Sequence, residues 1–240
     1  MTAKTALARA DEERLRALAA FDEEARGRLA GGSLSHGVTG ERREIAGCDE
    51  VGRGALAGPA LVACVRFDVA PLVIETPLGA AAHPALECLC GIDDSKRLSP
   101  RERERLFLPI GRLARFGMGV ATAEEIDRVG IVWALTLATR RAVADLGRPV
   151  DLLVLDLGLT LSSIGGPREM SFPKGDQRSL SIAAASIVAK VTRDRMMGDL
   201  EARFPGYGFE KNKGYGTPGH LAALRRLGPS PVHRQSFRVA

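Results

Sequence analysis

One nearly uninterrupted apolar segment, residues 150–157, constrains the fold more than any other part of the chain. It reads Val-Asp-Leu-Leu-Val-Leu-Asp-Leu, and only Asp151 and Asp156 interrupt it. Parallel strands are covered by helices on both faces, so their sequences are continuously apolar and do not alternate. The segment therefore predicts a central parallel strand in an α/β protein. Asp156 falls at its carboxyl end, where open α/β sheets bind ligands; a simple cap of a following helix is the alternative.

A second apolar segment ends in two adjacent acids. Residues 45–54 read Ile-Ala-Gly-Cys-Asp-Glu-Val-Gly-Arg-Gly. Because neighbouring side chains of a strand point to opposite faces, Asp49 and Glu50 cannot both enter the core. Two glycines then let the backbone approach another group closely, and Arg53 between them places a cation beside the two anions. This combination favours a site for cations and phosphate; a polar strand end followed by a glycine turn is the alternative.

Periodicity and turn residues predict the remaining elements. The expected elements are a helix at 5–30, strands at 44–49, 60–67, 116–122 and 170–172, and helices that begin near residues 99, 131, 181 and 218. A short segment rich in Gly and Pro joins the first two strands, which predicts an antiparallel hairpin. Residues 70–91 show no clear period and are expected to form a surface insertion.

The chain is expected to divide near residue 40. Residues 31–40 are rich in Gly and Ser, which is typical of a boundary loop. We therefore expect an N-terminal accessory helix and loop in residues 1–40. The main domain, with a C-terminal helical region, is expected in residues 41–240.

Composition narrows the class of protein. Hydrophobic residues make up 45% of the chain, which is enough for a sizeable core, and the net charge of +5 suits a polyanionic partner. The amino terminus has no apolar leader, and the longest apolar run, residues 55–65, is too short to span a bilayer. A cytoplasmic protein that stays outside the membrane is expected. The four cysteines lack the spacing of a zinc site, and Cys48 and Cys64 are expected to be small buried residues.

Further acids precede two of the predicted helices. Asp176 stands before the alanine-rich helix that begins near residue 181, where the free helix amides favour anions; a simple charge at the helix start is the alternative. Asp93 and Asp94 precede the helix that begins at Ser99. They could be metal ligands, but a role in a loop or turn is favoured.

A basic, glycine-rich loop follows the long helix. Residues 207–217 contain Lys211 and Lys213, and two glycines flank Tyr215. We expect the lysines to contact phosphates, so that nucleic-acid binding weakens as the salt concentration rises.

Four acids stand at strand ends or at a helix start in a chain that is basic as a whole. They are Asp49, Glu50, Asp156 and Asp176. Carboxylates bind Mg²⁺ and Mn²⁺, and a pair of such ions can activate water and stabilise a leaving oxygen in phosphodiester hydrolysis. The four acids therefore predict a site for two divalent ions, Mg²⁺ or Mn²⁺.

The whole set of motifs closely resembles the ribonuclease HII family. The matching motifs are Asp49-Glu50-Val51-Gly52-Arg53-Gly54, Asp94-Ser95-Lys96, Asp156, Lys174-Gly175-Asp176, residues 183–190, Val191-Thr192-Arg193-Asp194, Lys213-Gly214-Tyr215-Gly216-Thr217 and His233-Arg234-Gln235-Ser236-Phe237. They cover the chain from about residue 44 to its end, in the order of the family.

The resemblance implies a fold and an activity. The fold would be ribonuclease H-like: a five-stranded mixed sheet whose first three strands are antiparallel, with helices on both faces and a C-terminal helical extension. The activity would be that of an endoribonuclease on RNA·DNA hybrids and on duplex DNA that contains single ribonucleotides. It would cut 5′ of the ribonucleotide, leave a 3′-hydroxyl and a 5′-phosphate, and serve in ribonucleotide excision repair and replication. The protein is expected to act as a monomer.

The resemblance also implies roles for individual residues. The four acids would be the catalytic metal ligands. The backbone of Gly52-Arg53-Gly54 would read the 2′-hydroxyl, which distinguishes RNA from DNA, and Tyr215 would stack on the adjoining sugar. Ser95, Lys96 and Lys174 would bind substrate, the two lysines at phosphates. The chain departs from the family pattern at Leu157, where glycine usually follows the third acid directly.

Two other functions remain as alternatives. One is another two-metal nuclease of the same fold, such as a junction resolvase or a transposase-like enzyme. Gly52-Arg53-Gly54 and Tyr215 argue against it, because those enzymes need no reader of the 2′-hydroxyl. The other is a non-catalytic nucleic-acid-binding module, and the four acids argue against that because they would repel phosphates.

Overall fold

The computed structural model describes residues 3–29, 43–77, 79–162 and 166–237. The helices are α1 (Ala3–Leu29), α2 (Pro100–Leu113), α3 (Ala123–Leu146), α4 (Leu180–Arg203), α5 (Phe209–Asn212) and α6 (Pro218–Leu227), with short 3₁₀ turns at Pro84–Leu89 and Gly175–Gln177. The strands are β1 (Ile45–Val51), β2 (Ala60–Phe67), β3 (Val73–Thr76), β4 (Gly79–Ala82), β5 (Ala114–Ala121), β6 (Leu152–Asp156) and β7 (Arg168–Phe172).

Within the described residues, five strands form one mixed sheet in the order β5-β2-β1-β6-β7. β1 pairs antiparallel with β2, and β2 with β5, whereas β6 runs parallel to both β1 and β7. The predicted hairpin and the predicted central parallel strand are therefore both confirmed. The carboxyl ends of β1 and β6 lie side by side at one edge of the sheet.

Helices cover both faces of the sheet at very short distance. A Cβ atom on Gly119 of β5 would lie 1.8 Å from the Ala138 carbonyl oxygen of α3. On the other face, a Cβ atom on Gly47 of β1 would lie 2.4 Å from the Ile182 nitrogen of α4. Glycine is required at both strand positions because the helix backbones leave no room for a side chain.

The boundaries of α3 differ from the prediction for a physical reason. A helix was expected from residue 131, but α3 begins at Ala123, and Thr122 and Glu125 form a capping box there. Gly130, with φ 77° and ψ 158°, interrupts the helix just before the predicted start. The apolar periodicity marked only the part that follows this break.

Residues 70–91 are not the surface insertion that was expected. They form the β3–β4 hairpin and a 3₁₀ turn, and Leu72, Leu86 and Leu89 are at most 1% exposed. These leucines pack in the same core cluster as Leu15 and Leu18 of α1. The expectation was wrong because an irregular backbone can bury leucines at spacings that follow neither the helix nor the strand period.

Helix α1 contacts the start of α4. The buried carboxylate of Asp22 accepts hydrogen bonds from the Ser179 hydroxyl (2.5 Å), the Ser181 hydroxyl (2.7 Å) and the Ser181 backbone N–H (2.9 Å), at the start of α4. The predicted boundary loop, residues 31–40, lies outside the described residues, so the division near residue 40 stays a prediction. Among the described residues, no helix is both long enough and apolar enough to span a membrane.

Candidate active site

The parallel pairing of β1 and β6 brings three of the predicted acids together. Cys48 of β1 lies opposite Leu155 of β6, so the next residue on each strand is an acid at the same sheet edge. Carboxylate oxygens of Asp49, Glu50 and Asp156 all lie within 4.8 Å of one another. The Asp156 carboxylate is oriented by the Gly175 backbone N–H, which donates to it at 2.8 Å.

Asp176 lies beside this group but outside the three-acid cluster. It is buried in the 3₁₀ turn that follows β7, and its carboxyl group is hydrogen-bonded to that of Asp94. Asp94 was expected to be a turn residue, and it does accept a hydrogen bond from the Lys96 backbone N–H at 2.9 Å. The interpretation was incomplete, because the turn also places this carboxyl against a candidate catalytic acid. Contacts between residues so far apart in the chain leave no local sequence signal.

The acids disfavour one another's charge. Burial raises the pKa of Asp49 well above its usual range, and the neighbouring Glu50 and Asp156 raise it further. Burial and then Asp94 raise the pKa of Asp176 to about 6. Burial also raises the pKa of Glu50, although Arg53 opposes this. Such a cluster is stabilised by positive charge placed between the carboxylates.

One buried oxygen in the cluster lacks a partner. Arg53 Nε donates to Glu50 Oε1 at 2.8 Å. The other oxygen, Glu50 Oε2, is buried and receives no hydrogen bond from any described residue. A carboxylate oxygen left unpaired inside a protein is costly unless a cation or donor reaches it. The donor set, all carboxylate oxygen, fits hard divalent cations.

A cavity of about 510 Å³ opens beside the acids. Its lining is Asp49, Glu50, Val51, Gly52, Arg53, Gly54, Ser95, Lys96, Lys190 and Tyr215. The structure thus brings together most of the residues singled out in the sequence. Lys174 is different: it is exposed, two residues before Asp176, and is not part of this lining.

Lysines supply positive charge to the cavity. Burial alone would lower the pKa of Lys96, but Asp49 and Asp94 outweigh burial, and the net shift is upward. Lys190 was not assigned a role from the sequence. Its amine donates to Asp194 Oδ1 at 2.7 Å, and burial lowers its pKa. Its position within one of the matching motifs was the available signal.

Two buried arginines hold the loop that contains Gly52-Arg53-Gly54. Arg193 donates to the carbonyls of Pro59 at 2.8 Å and Lys213 at 2.9 Å. Arg234 donates to the carbonyls of Arg53 at 2.9 Å and Gly58 at 2.9 Å. Both lie in the matching motifs but were assigned no role from the sequence, because a buried arginine and an exposed one look alike in a sequence.

The departure at Leu157 does not displace the third acid. Leu157 is 62% exposed, and Asp156 keeps its place in the cluster. Gly158 takes φ 95°, and its carbonyl accepts a hydrogen bond from Arg53 Nη2 at 3.1 Å. The turn after β6 therefore anchors the Arg53 side chain.

Comparisons with known proteins agree with this geometry. A family model described as Ribonuclease HII matches residues 46–240. The Ribonuclease HII of Syntrophotalea carbinolica is 47% identical over 169 residues, covering 70% of this chain and 80% of that protein. A chain in the structure of the PCNA:RNase HII complex from Archaeoglobus fulgidus aligns with a TM-score of 0.63 and 24% identity, covering 82% of this chain and 96% of its own. Bst-RNase HIII in complex with Mn²⁺ aligns with a TM-score of 0.58 and 19% identity, covering 81% of this chain and 67% of its own. The ribonuclease H-like fold is thereby confirmed.

Proposed function

The chain belongs to the ribonuclease HII family and is therefore an endoribonuclease with ribonuclease H activity, and we propose that it also cuts 5′ of a single ribonucleotide embedded in duplex DNA. One observation carries this proposal: a single cavity joins two of the acids, Asp49 and Glu50, to Gly52-Arg53-Gly54 and to Tyr215. The products would be a 3′-hydroxyl and a 5′-phosphate, and the cellular role would be ribonucleotide excision repair. A two-metal nuclease that does not recognise the 2′-hydroxyl would not need Gly52-Arg53-Gly54 and Tyr215 in this cavity.

The acids would hold the metal ions. Asp49, Glu50 and Asp156 supply the closely spaced oxygens, and Asp176 lies beside them. Two ions, Mg²⁺ or Mn²⁺, would supply activation of water and stabilisation of the leaving oxygen when bound. The Mn²⁺ complex of the HIII-type structure supports manganese as one choice.

The Arg53 side chain is engaged by other residues of the protein. Its two bonds, to Glu50 Oε1 and to the Gly158 carbonyl, hold the guanidinium against the protein. A Cβ atom on Gly54 would meet no atom within 4 Å, so the backbone here faces open space. The backbone of this loop is therefore the part that would contact the ribonucleotide 2′-hydroxyl.

Tyr215 and the cavity lysines would position the substrate. The Tyr215 ring lies against the Arg193 guanidinium, 5.5 Å from ring centroid to Cζ, and its exposed face would stack on the sugar next to the ribonucleotide. Lys96 and Ser95 would contact the phosphate beside the cut, with Lys190 close by. Lys174 would contact a phosphate outside the cavity, since it lies on the surface.

Domain division, cellular location and oligomeric state complete the proposed function. We assign residues 41–240 to the catalytic domain with its C-terminal helical region and residues 1–40 to an accessory helix and loop. The protein would act as a cytoplasmic monomer on RNA·DNA hybrids and on ribonucleotide-containing duplex DNA.

Mapping the cut tests the proposal directly. End-labelled duplex DNA with one ribonucleotide, a uniform RNA·DNA hybrid and an all-DNA duplex are incubated with Mg²⁺, Mn²⁺ or EDTA. We expect one cut 5′ of the ribonucleotide, cuts along the hybrid, an intact all-DNA duplex and no cleavage in EDTA. Cleavage of the all-DNA duplex would show that the cavity does not read the 2′-hydroxyl.

A further inference from the structure

Two buried histidines form a hydrogen-bonded pair behind the Tyr215 loop. His220 lies in the first turn of α6, and His233 lies in the C-terminal segment; their Nε2 atoms are 3.1 Å apart. The Nδ1 atom of His233 is 2.9 Å from the Ser230 backbone nitrogen and 2.8 Å from the Ser230 hydroxyl oxygen. The Nδ1 atom of His220 is 2.9 Å from the Tyr215 carbonyl oxygen.

These partners determine where the protons lie. A backbone N–H can only donate, so His233 Nδ1 is unprotonated and the proton of that ring is on Nε2. It donates to His220 Nε2, which must then be the acceptor. The His220 proton is left on Nδ1, where it donates to the Tyr215 carbonyl. All bonds are satisfied in this one arrangement, and both rings are neutral in it.

An added proton disrupts the pair when it binds His220, because a proton on His220 Nε2 would face the N–H of His233 and the two rings would repel each other. A proton on His233 Nδ1 would lose the bond from the Ser230 N–H, although the Ser230 hydroxyl oxygen could accept a bond from it. Burial, and then the neighbouring His220, hold the pKa of His233 below its ordinary value of 6.5. The native pair is therefore stable above about pH 6.5 and is weakened as the pH falls below that value.

The surroundings of the pair offer no carboxylate among the described contacts. The rings of Tyr207 and Phe209 lie 4.9 Å and 5.6 Å from that of His233, between centroids. The Tyr207 hydroxyl donates to the Gly228 carbonyl at 2.8 Å. On the loop side, the Ala57 backbone forms a bridge with His233. Two positive charges lie on this side: Arg193 donates to the Ala57 carbonyl, and Arg234, next to His233 in the chain, donates to the Gly58 carbonyl.

We propose that His220 and His233 are positioning residues that hold Tyr215 for recognition of the ribonucleotide junction, and that protonation of the pair weakens this recognition. The Tyr215 carbonyl is held from two sides, by His220 Nδ1–H and by the Thr217 backbone N–H at 2.7 Å. Repulsion between two facing ring N–H groups would push His220 away from that carbonyl, and the two glycines beside Tyr215 would then leave its ring free to move. The inference rests on the proposed role of Tyr215.

Comparing two substrates isolates this effect. Cleavage of the single-ribonucleotide duplex and of the uniform hybrid is measured in the same preparation from about pH 8 to about pH 5.5, across the range where histidine titrates. The ratio of the two rates cancels losses shared by both substrates, including protonation of the catalytic acids. For the wild type we expect this ratio to fall as the pH drops.

Substitutions at His220 separate positioning from folding. In His220→Leu we expect a ratio lower on the order of tenfold at every pH, because the Tyr215 carbonyl loses a donor. In His220→Asn the side-chain amide can still donate to that carbonyl, and no ring nitrogen remains at residue 220 to oppose the His233 N–H. We therefore expect the wild-type ratio at neutral pH and no decline at low pH. His83→Asn is the matched control, since His83 accepts a hydrogen bond from Ala85 N–H far from the Tyr215 loop.

Ring nitrogen spectra give a readout that needs no cleavage. Long-range ¹⁵N correlation spectra of the wild type should show His220 as the Nδ1–H tautomer and His233 as the Nε2–H tautomer at neutral pH. Opposite tautomers, a charged ring, or equal losses on both substrates in His220→Leu would overturn the proposal. If the wild type cuts neither substrate, the proposed function fails, and the spectra still decide whether the pair is neutral and ordered.

Discussion

Asp49 is a buried acid whose neighbours oppose its charge, and this makes its replacement informative. We expect Asp49→Asn to abolish cleavage because a metal ligand is lost. Without metal, its melting temperature should equal or exceed that of the wild type, because the repulsion from Glu50 and Asp156 is relieved. The asparagine oxygen can still accept the Glu50 backbone hydrogen bond of 2.8 Å. Thermal unfolding in EDTA and the cleavage assay measure the two effects.

A matched substitution shows whether the effect is local. Asp68→Asn changes a half-exposed acid that pairs with Arg115 at 3.4 Å, and it should leave cleavage unchanged. Clear destabilisation of Asp49→Asn with retained cleavage would show that Asp49 is structural.

Tyr215 should matter more for one substrate than for the other. If its ring stacks on the deoxyribose beside the ribonucleotide, Tyr215→Ala loses a contact that a uniform hybrid never offers. We expect cutting at a single ribonucleotide to fall roughly tenfold to a hundredfold more than cutting of the hybrid. Parallel assays on the two substrates measure this, and Tyr207→Phe, a buried tyrosine outside the cavity, serves as the control. Equal losses would assign Tyr215 a general role in catalysis or folding.

At the scale of elements, the segment between β2 and α2 is part of the core. Leu86 is fully buried in its 3₁₀ turn. We expect Leu86→Ala to lower the free energy of unfolding by about 2–5 kcal/mol, because it leaves a cavity next to α1 and α2. Leu108→Ala, at a leucine 64% exposed on α2, should change it by no more than about 0.5 kcal/mol. Denaturant titration measures the free energy of unfolding of both variants. Similar losses in the two would show that this segment is not part of the core.

The loop around α5 forms part of a second, basic cavity. This cavity of about 530 Å³ shares Lys190 with the catalytic cavity and is also lined by Lys211 and Lys213. Lys213 Nζ already donates to the Asp194 carbonyl at 3.1 Å, so Lys211 is the cleaner probe. We expect Lys211→Ala to weaken binding of every duplex alike and to reduce the slope of log K against log salt by about one.

A charge at the far end of the fold provides the comparison for Lys211. Arg112 is exposed in the last turn of α2, next to the start of β5 and away from the acid edge of the sheet. Arg112→Ala should leave the salt slope of the wild type unchanged. An unchanged slope in Lys211→Ala would remove the α5 loop from the interface.

For the whole molecule, the acid cluster links stability to pH and, by our proposal, to metal. The pKa of Asp176 is raised from 3.8 to about 6, so the folded protein keeps a proton there that the unfolded chain releases. The stability that Asp176 contributes is full below pH 3.8 and is lost as the pH rises through about 6. At pH 7 in EDTA we therefore expect Asp176→Asn to melt higher than the wild type.

Added metal should reverse the order of the wild-type and Asp176→Asn melting temperatures at pH 7. A divalent cation that binds the folded state but not the unfolded state should raise the melting temperature of the wild type at pH 7. The increase should be smaller in Asp176→Asn, because one of the acids is lost. Melting curves near pH 5 and pH 7, with EDTA or with Mn²⁺, measure both effects. A wild-type melting temperature at pH 7 that does not change when Mn²⁺ is added would contradict metal binding at this site.

The sequence by itself determined the local features. The apolar run at residues 150–157 predicted β6, the Gly-Pro connection predicted the β1–β2 hairpin, and the acids and their motifs identified the family. These signals are local because strand burial, turns and caps depend on neighbouring residues. The family resemblance then supplied the five-stranded mixed sheet with its first three strands antiparallel, and the structure supplied the strand order.

Only the tertiary structure decided which distant residues meet. It placed Asp94 against Asp176, buried Leu86 in a core shared with α1, and turned Arg193 and Arg234 inward to hold the loop that lines the cavity. It also joined His220 to His233 behind Tyr215. Each contact links segments separated in the chain, and the type of a residue alone does not reveal which distant residue it will contact. Burial and pairing are properties of the assembled fold, so they could not be predicted from local patterns.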